Sequence, residues 1–332
     1  LFTENMQGDP IVITECYDEV LEAESIARTI ESLAKDGVTF EEIAVLYRAN
    51  FQSRVLEEAL LSRQIPYQVL GTKFFDRKEI KDVLSYIRAA LNKESLGDIK
   101  RIINVPARGL GKVTVTKLLS GKMSELTPAT QKKIQGFYTL LDTIAKYLHN
   151  HMPSETIKFV LKETGLEETL AQGSSDDIER LENMKELATV ALSYDSYGPT
   201  EGIERLLENA SLAGEQDSLL QNKEGGVRLM TVHASKGLEF DHVFITGLEQ
   251  DLFPHKRDTQ RSLEHQQDER RLFYLALPRA PVPLHLSYAS IRTLYGQRMI
   301  STPSEFLYDI PEELTEKTIA VKEDGGYTIF LD

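Results

Sequence analysis

Val227-Arg-Leu-Met-Thr-Val-His-Ala-Ser-Lys-Gly-Leu-Glu-Phe240 joins two apolar runs through a polar loop. The first run, rich in β-branched residues, stops at His233, Ala234 and Ser235; the loop holds Gly237 and Glu239; the second run is His242 to Thr246. This pattern predicts strand, polar loop, strand. In an α/β sheet the loops at the carboxyl ends of the strands form the ligand crevice, so Thr231, His233, Lys236 and Glu239 are the side chains expected to face a ligand. Further along, Asp268-Glu-Arg-Arg-Leu-Phe-Tyr-Leu-Ala-Leu-Pro-Arg-Ala280 sets Arg270, Arg271 and Arg279 on or beside one helix. A permanently charged, planar guanidinium binds phosphate through two parallel N–H groups, which suits such a helix to a phosphate-facing role.

Working outward, Ile11 to Thr14 predicts a short strand, and Asp18 opens a helix through Lys35 whose apolar face includes Val20, Leu21, Ile26, Ile30 and Leu33, ended by Gly37. Ile43 to Tyr47 is a buried strand, Phe51 to Ser62 a helix, Tyr67 to Leu70 a strand and Arg77 to Leu91 a helix. This alternation predicts an α/β fold with a parallel, doubly wound sheet. From Asn92 to Lys223 the pattern turns helical, with breaks at Gly109, Thr127-Pro128, Gly173-Ser-Ser175 and Gly198-Pro199. Strands return at Val227, His242 and Leu284, so the two α/β pieces are expected to build one sheet around a helical insertion. The expected division is residues 1–91, insertion 92–223, second α/β segment 224–310 and tail 311–332.

At 332 residues two domains are the natural expectation, and 41% hydrophobic residues suffice for real cores. No apolar stretch approaches the roughly 18 residues of a membrane span, and Leu1 opens no signal-peptide pattern. Cys16 is the single cysteine, so neither an internal disulfide nor a cysteine metal site is expected. A reducing compartment, the cytoplasm, is the expected location, with no membrane partner. The formal net charge of -14 argues against strong nonspecific DNA binding by these residues alone. Basic residues nonetheless cluster at Lys100, Arg101, Arg108 and Lys112, and at Lys256, Arg257 and Arg261.

The two segments quoted above resemble, in this order, motifs V and VI of the superfamily 1 DNA helicases of the UvrD, PcrA and Rep type. The resemblance extends to Ile43–Arg54, similar to motif IV, to Gly71–Asp82, to Asn104–Gly111 and to Pro303–Leu307. It implies a second RecA-like domain interrupted by a helical subdomain, acting with ATP and Mg²⁺ in 3′ to 5′ movement on DNA. By this resemblance Arg48 and Arg279 are arginine fingers directed at phosphate, and Gly237 and Glu239 belong to the ATP site near the sugar. Thr231, His233 and Lys236 are the single-strand contacts. Arg108, Gly109, Gly111 and Lys112 form an element gripping duplex DNA at single-strand/duplex junctions. Glycines before a helix let backbone N–H groups approach a phosphate, though the isolated pattern is weak and by itself reads better as a plain turn.

No G-x-x-x-x-G-K-[ST] loop occurs in the sequence, so the resemblance implies that the phosphate-cradling lysine and the Mg²⁺ ligands come from an amino-terminal helicase half, and that the chain alone is inactive. Motif VI departs from the family at Pro278, where threonine is usual. Proline disfavours helical geometry at Leu277, so either the helix ends early and Arg279 is displaced, or the family's helix already ends here and the proline is tolerated. Gln52, Ser53 and Arg54 read as helix-start and surface residues. Two other readings stand beside the helicase half: a non-catalytic split subunit or remnant that binds DNA or a partner, and a fragment of a helicase-nuclease of the RecB and AddA type. The second needs a nuclease domain, for which Pro311 to Asp332 leaves no room.

Overall fold

A computed structural model describes residues 9–220, 225–255, 263–277 and 284–322. β1 (Ile11–Asp18) and α1 (Glu19–Lys35) are followed by β2 (Ile43–Tyr47), α2 (Ser53–Ser62), β3 (Tyr67–Val69) and α3 (Lys78–Leu91). Helices without a strand among the described residues come next: α4 (Leu96–Ile102), α5 (Lys112–Leu119), α6 (Pro128–Leu148), α7 (Pro153–Glu163), α8 (Leu166–Ala171), α9 (Ser175–Leu192) and α10 (Pro199–Leu220). The sheet resumes with β4 (Val227–Thr231) and β5 (His242–Ile245), then α11 (Leu263–Ala276), β6 (Leu284–Leu294), β7 (Gln297–Ile300), α12 (Glu305–Tyr308) and β8 (Thr315–Ile319).

The strand order is β3-β4-β2-β5-β6-β1-β8, and every neighbouring pair on this path is parallel. The expected doubly wound α/β sheet is therefore present, assembled from segments on both sides of the helices. β2 lies in its interior, between β4 and β5, and is buried at all five positions. Its side chains alternate between two cores, as the two-residue period of a strand requires. Ala44 and Leu46 join Ile245, Leu286, Phe273 and Phe306 on one side. Ile43, Val45 and Tyr47 join Ile26, Ile30, Leu56 and Leu60 on the other. A strand covered on both faces reads as a continuous apolar run, which is why β2 is visible in the sequence.

Local signals account for the element ends. The Asp18 carboxylate caps α1 by accepting the Leu21 N–H at 2.9 Å, and Gly37, at φ +98, supplies the left-handed turn after the last helical residues. Thr127 caps α6 with Pro128 in its first turn, and Ser174 and Asp177 form a reciprocal cap on α9. The breaks read from the sequence are thus helix starts.

The chain resolves into two compact units. One is the sheet unit, built from the segments before Phe74 and after Asp217; the other is helical, Phe74–Asp217 together with Leu294–Gln297. The helical unit begins earlier than the expected residue 92, and the reason is the apolar face of α3. Ile80, Val83, Leu84 and Ile87 are buried with Ile99, Ile102, Ile134, Phe137 and Leu141 in one helical core. The segment expected to be a tail contributes β8, which pairs in parallel with β1 from Ile11 opposite Thr315 to Glu15 opposite Ile319. Pairing on that side leaves β1 no open edge there.

Inside the sheet unit, Arg292 of β6 is held between two carboxylates. Its Nε donates to Glu249 at 2.6 Å and its Nη2 to Glu22 and Glu249 at 2.5 Å each. Glu22 also accepts from the Gly247 amide and the Ser287 hydroxyl, and Glu249 accepts from the Ala289 amide. The neighbouring cation and these donors hold Glu22 below the usual carboxylate range against the opposing pull of burial. The cluster ties α1, the segment after β5 and β6 at one point. Cys16 is fully buried beside it, and burial, reinforced by Glu22, pushes its thiol far up. Replacing Arg292 with Leu strands two buried carboxylates and is expected to lower the unfolding free energy by about 3–5 kcal/mol. Urea unfolding of the purified chain measures this; a loss under about 1 kcal/mol would show that the cluster is not a fixed point of the fold.

Candidate functional site

β2 and β4 are neighbours in register, with Tyr47 opposite Thr231, and the Val232 amide donates to the Tyr47 carbonyl at 2.9 Å. Arg48 and the Thr231–Glu239 loop therefore leave the sheet side by side at its carboxyl edge, where α/β sheets bind ligands. The loop is a series of tight turns. The Thr231 carbonyl accepts from Ala234 and Ser235, the Ser235 hydroxyl donates to Val232, and Leu238 donates to Ser235. Gly237 sits at φ +85, a backbone conformation costly for side chains with a Cβ. These turns leave His233, Lys236, Gly237 and Glu239 exposed, with Thr231 half-buried at their base.

Arg48 itself is only 5% exposed. Its backbone is fixed by Gln52, whose Oε1 accepts the amides of Arg48 at 3.1 Å and Ala49 at 2.8 Å. Its guanidinium is held by Glu269 of α11, which accepts Nε at 2.8 Å and Nη2 at 2.6 Å. Oε2 of Glu269 accepts a third bond from the His255 amide at 3.0 Å. On the same helix Phe273 packs against Phe253 and Phe306, ring centroids 5.9 and 5.3 Å apart, so the carboxylate stands on a well-packed support. Arg270 and Arg271, expected to face phosphate, pair with Asp309 and Asp268 at 3.2 Å each. α11 ends at Ala276 and Leu277 forms a bend; Pro278 and Arg279 lie outside the described residues, as do Lys256, Arg257 and Arg261.

Gln52, Ser53 and Arg54 are not the surface residues expected from their position at a helix start: they are 4%, 0% and 9% exposed. Gln52 turns inward to satisfy two amides at the end of a buried strand, where water cannot. Glu269 was equally hidden among charged neighbours, since nothing in Asp268-Glu269-Arg270-Arg271 singles out the one side chain that faces the core.

In the helical unit, α5 begins at Lys112 with Gly111 as its N-cap, and Gly109 adopts φ +71. Asn104 shapes this loop by accepting the amides of Arg108 at 2.8 Å and Leu110 at 3.1 Å. Lys112 and Gly111 are exposed. A Cβ on Gly109 would come within 2.9 Å of the Lys133 Nζ, so a lysine of α6, invisible to any local pattern, lies against the turn. Arg108 departs from expectation. Its guanidinium faces the chain rather than a phosphate: Nη1 lies within hydrogen-bonding distance of the Ile102, Ile103, Val105 and Pro106 carbonyls, and Nη2 donates to the Tyr86 hydroxyl at 2.6 Å. It also lies over the Tyr86 and Phe137 rings at 5.8 and 5.6 Å. Burial pushes the Tyr86 phenol up to about 12 even against Arg108, so it stays protonated and donates to the Val105 carbonyl. Arg101 is likewise engaged, with Asp82 at 2.6 Å. A charged donor shared over several carbonyl acceptors accounts for the inward turn.

Among the described residues no group of three or more His, Cys, Asp or Glu is placed to hold a metal ion, and no helix is long and apolar enough to cross a membrane.

A parallel sheet covered by helices, a helical insertion and a polar loop beside a strand-end arginine have the architecture of a RecA-like α/β domain. The sequence matches the UvrD-like helicase C-terminal domain over residues 1–291, and the chain belongs to that family. It is 35% identical to the ATP-dependent DNA helicase PcrA of Staphylococcus epidermidis (strain RP62A) over 98% of this chain and 47% of that protein. It is 37% identical to the ATP-dependent DNA helicase PcrA of Staphylococcus aureus (strain Mu50) over 95% of this chain and 46% of that protein. The chain thus spans about half the length of the curated relatives it matches and corresponds to a UvrD/PcrA-type carboxy-terminal half.

The Arg108 geometry yields a direct expectation. Arg108→Ala removes the donor shared by several loop carbonyls and should cost about 1–3 kcal/mol, with faster amide exchange across residues 102–110. Hydrogen-exchange mass spectrometry measures this, and unchanged protection would show that the guanidinium does not hold the loop.

Proposed function

We propose that the chain forms the carboxy-terminal half of an ATP-dependent 3′ to 5′ DNA helicase or translocase. The observation that carries this reading is the register of β2 and β4, which sets Arg48 and the exposed Thr231–Glu239 loop at one sheet edge. Arg48 serves there as an arginine finger, and Arg279 takes the second such role through its match to the family motif. Glu239 accepts hydrogen bonds from ribose hydroxyls, with Gly237 allowing the loop to turn beneath it. Thr231, His233 and Lys236 offer hydroxyl, imidazole and ammonium donors to the phosphates of single-stranded DNA.

In the helical unit the exposed amides and side chain around Gly109, Gly111 and Lys112 contact duplex at a junction, joined by Lys133. Arg108 contributes by shaping that loop rather than by touching phosphate. A net charge of -14 confines binding to such local sites.

The residues present fit ATP in part: a strand-end guanidinium and a loop carboxylate are there, while a phosphate-cradling glycine loop is not in this sequence. ATP bound with Mg²⁺ supplies the phosphoryl group whose transfer drives movement. The chain's own contribution is positive charge at the phosphates and recognition at the sugar. The Mg²⁺ ligands and the lysine of the phosphate cradle come, in this reading, from an amino-terminal helicase half partnered with these residues.

In a full-length helicase carrying this sequence, Arg48→Ala is expected to lower ATP turnover by about 10³-fold or more while largely sparing nucleotide binding. Steady-state hydrolysis with single-stranded DNA, set beside titration of a fluorescent ATP analogue, separates the two. Turnover within about threefold of the parent would sink the arginine-finger role.

A further inference from the structure

Glu269 grips Arg48 from the side. It engages Nε and Nη2, at 2.8 and 2.6 Å, with both side chains nearly fully buried. A guanidinium carries five N–H groups in a rigid plane, and this mode of pairing occupies one edge of it. Nη1 makes no hydrogen bond to a described residue. The grip is supported from both ends. Gln52 fixes the Arg48 backbone, the His255 amide fixes the Glu269 carboxylate, and the Phe253–Phe273–Phe306 rings fix α11.

We infer that Glu269 is a positioning residue for Arg48: it holds the guanidinium through Nε and Nη2 and so turns the Nη1 edge toward an incoming phosphate. This rests on the arginine-finger reading of Arg48 given above. A long arginine side chain released from such a hold samples many rotamers, and ordering it again on each encounter costs entropy. Held by Glu269, it is set in advance. The pair also explains how an arginine finger is buried before any phosphate arrives, because an isolated guanidinium there would carry an uncompensated charge. A purely structural ion pair predicts something different: its loss would lower stability and every activity together, without regard to Arg48.

The test uses the full-length helicase carrying this sequence and reads kcat and KM for ATP with single-stranded DNA, alongside thermal melting. Glu269→Asp keeps the charge but withdraws the carboxylate by one methylene. It should lower kcat by roughly 10- to 100-fold, the scale of a ~1 Å misplacement, with KM changed by no more than about threefold. Glu269→Gln should do the same in the parent. In an Arg48→Lys background, where the planar fork is already gone, it should change kcat by less than about twofold. Unaltered kcat in both Glu269 variants, or an equal loss in parent and Arg48→Lys backgrounds, overturns the positioning role. If the two variants melt far below the parent and lose DNA binding as well as turnover, the pair is structural and the inference also fails. Should Arg48→Ala retain turnover, the arginine-finger reading itself fails, an outcome distinct from each of these.

Discussion

Burial of β2 on both faces is the constraint from which the site follows. Five consecutive residues, Ile43–Tyr47, lie in the interior, so the chain can place no charged group along them without a heavy desolvation cost. Arg48 is the first position at which charge is tolerated, and even there it is held in a buried pair with Glu269. The parallel pairing of β4 with β2 then brings the Thr231–Glu239 loop to the same edge. Polarity is forced to one end of the sheet by the apolar character of its middle.

Three arginines show how environment rather than residue type sets the role. Arg292 faces two carboxylates in the interior and locks three segments of the sheet unit. Arg108 is spent on carbonyls of its own loop and on the Tyr86 hydroxyl. Arg48 meets one carboxylate, engaged along one edge of the guanidinium. A basic cluster in a sequence is therefore a poor measure of the charge offered to a nucleic acid: of Lys100, Arg101, Arg108 and Lys112, the two arginines are engaged internally and the two lysines are exposed.

Much of the sheet was legible because its signals are local. The apolar runs at Ile43, Val227, His242 and Leu284 mark strands that begin at those residues, and Asp18 caps the helix it was expected to open. The helical unit's beginning was not legible, because α3 looks like any amphipathic helix of an α/β repeat, and only its packing partners far along the chain assign it to the helical core. The same holds at the site. The strand-end arginine and the glycine turn can be read from spacing, whereas Gln52, Glu269 and Lys133 act through partners brought near by the fold. Burial of a polar side chain leaves no local trace when charged neighbours surround it.

Cys16 lies in β1 beside the Arg292 cluster with no exposed surface, and its thiol is held in the protonated, unreactive form. An alkylating or maleimide reagent therefore meets no native nucleophilic sulfur in the folded sheet unit. Cysteines introduced on the exposed loops, at His233 or Lys112 for instance, would take a fluorophore selectively without first removing the natural one. Labelling of Cys16 itself would then serve as a chemical clock for opening of the sheet, since the sulfur is reached only when β1 separates from its surroundings.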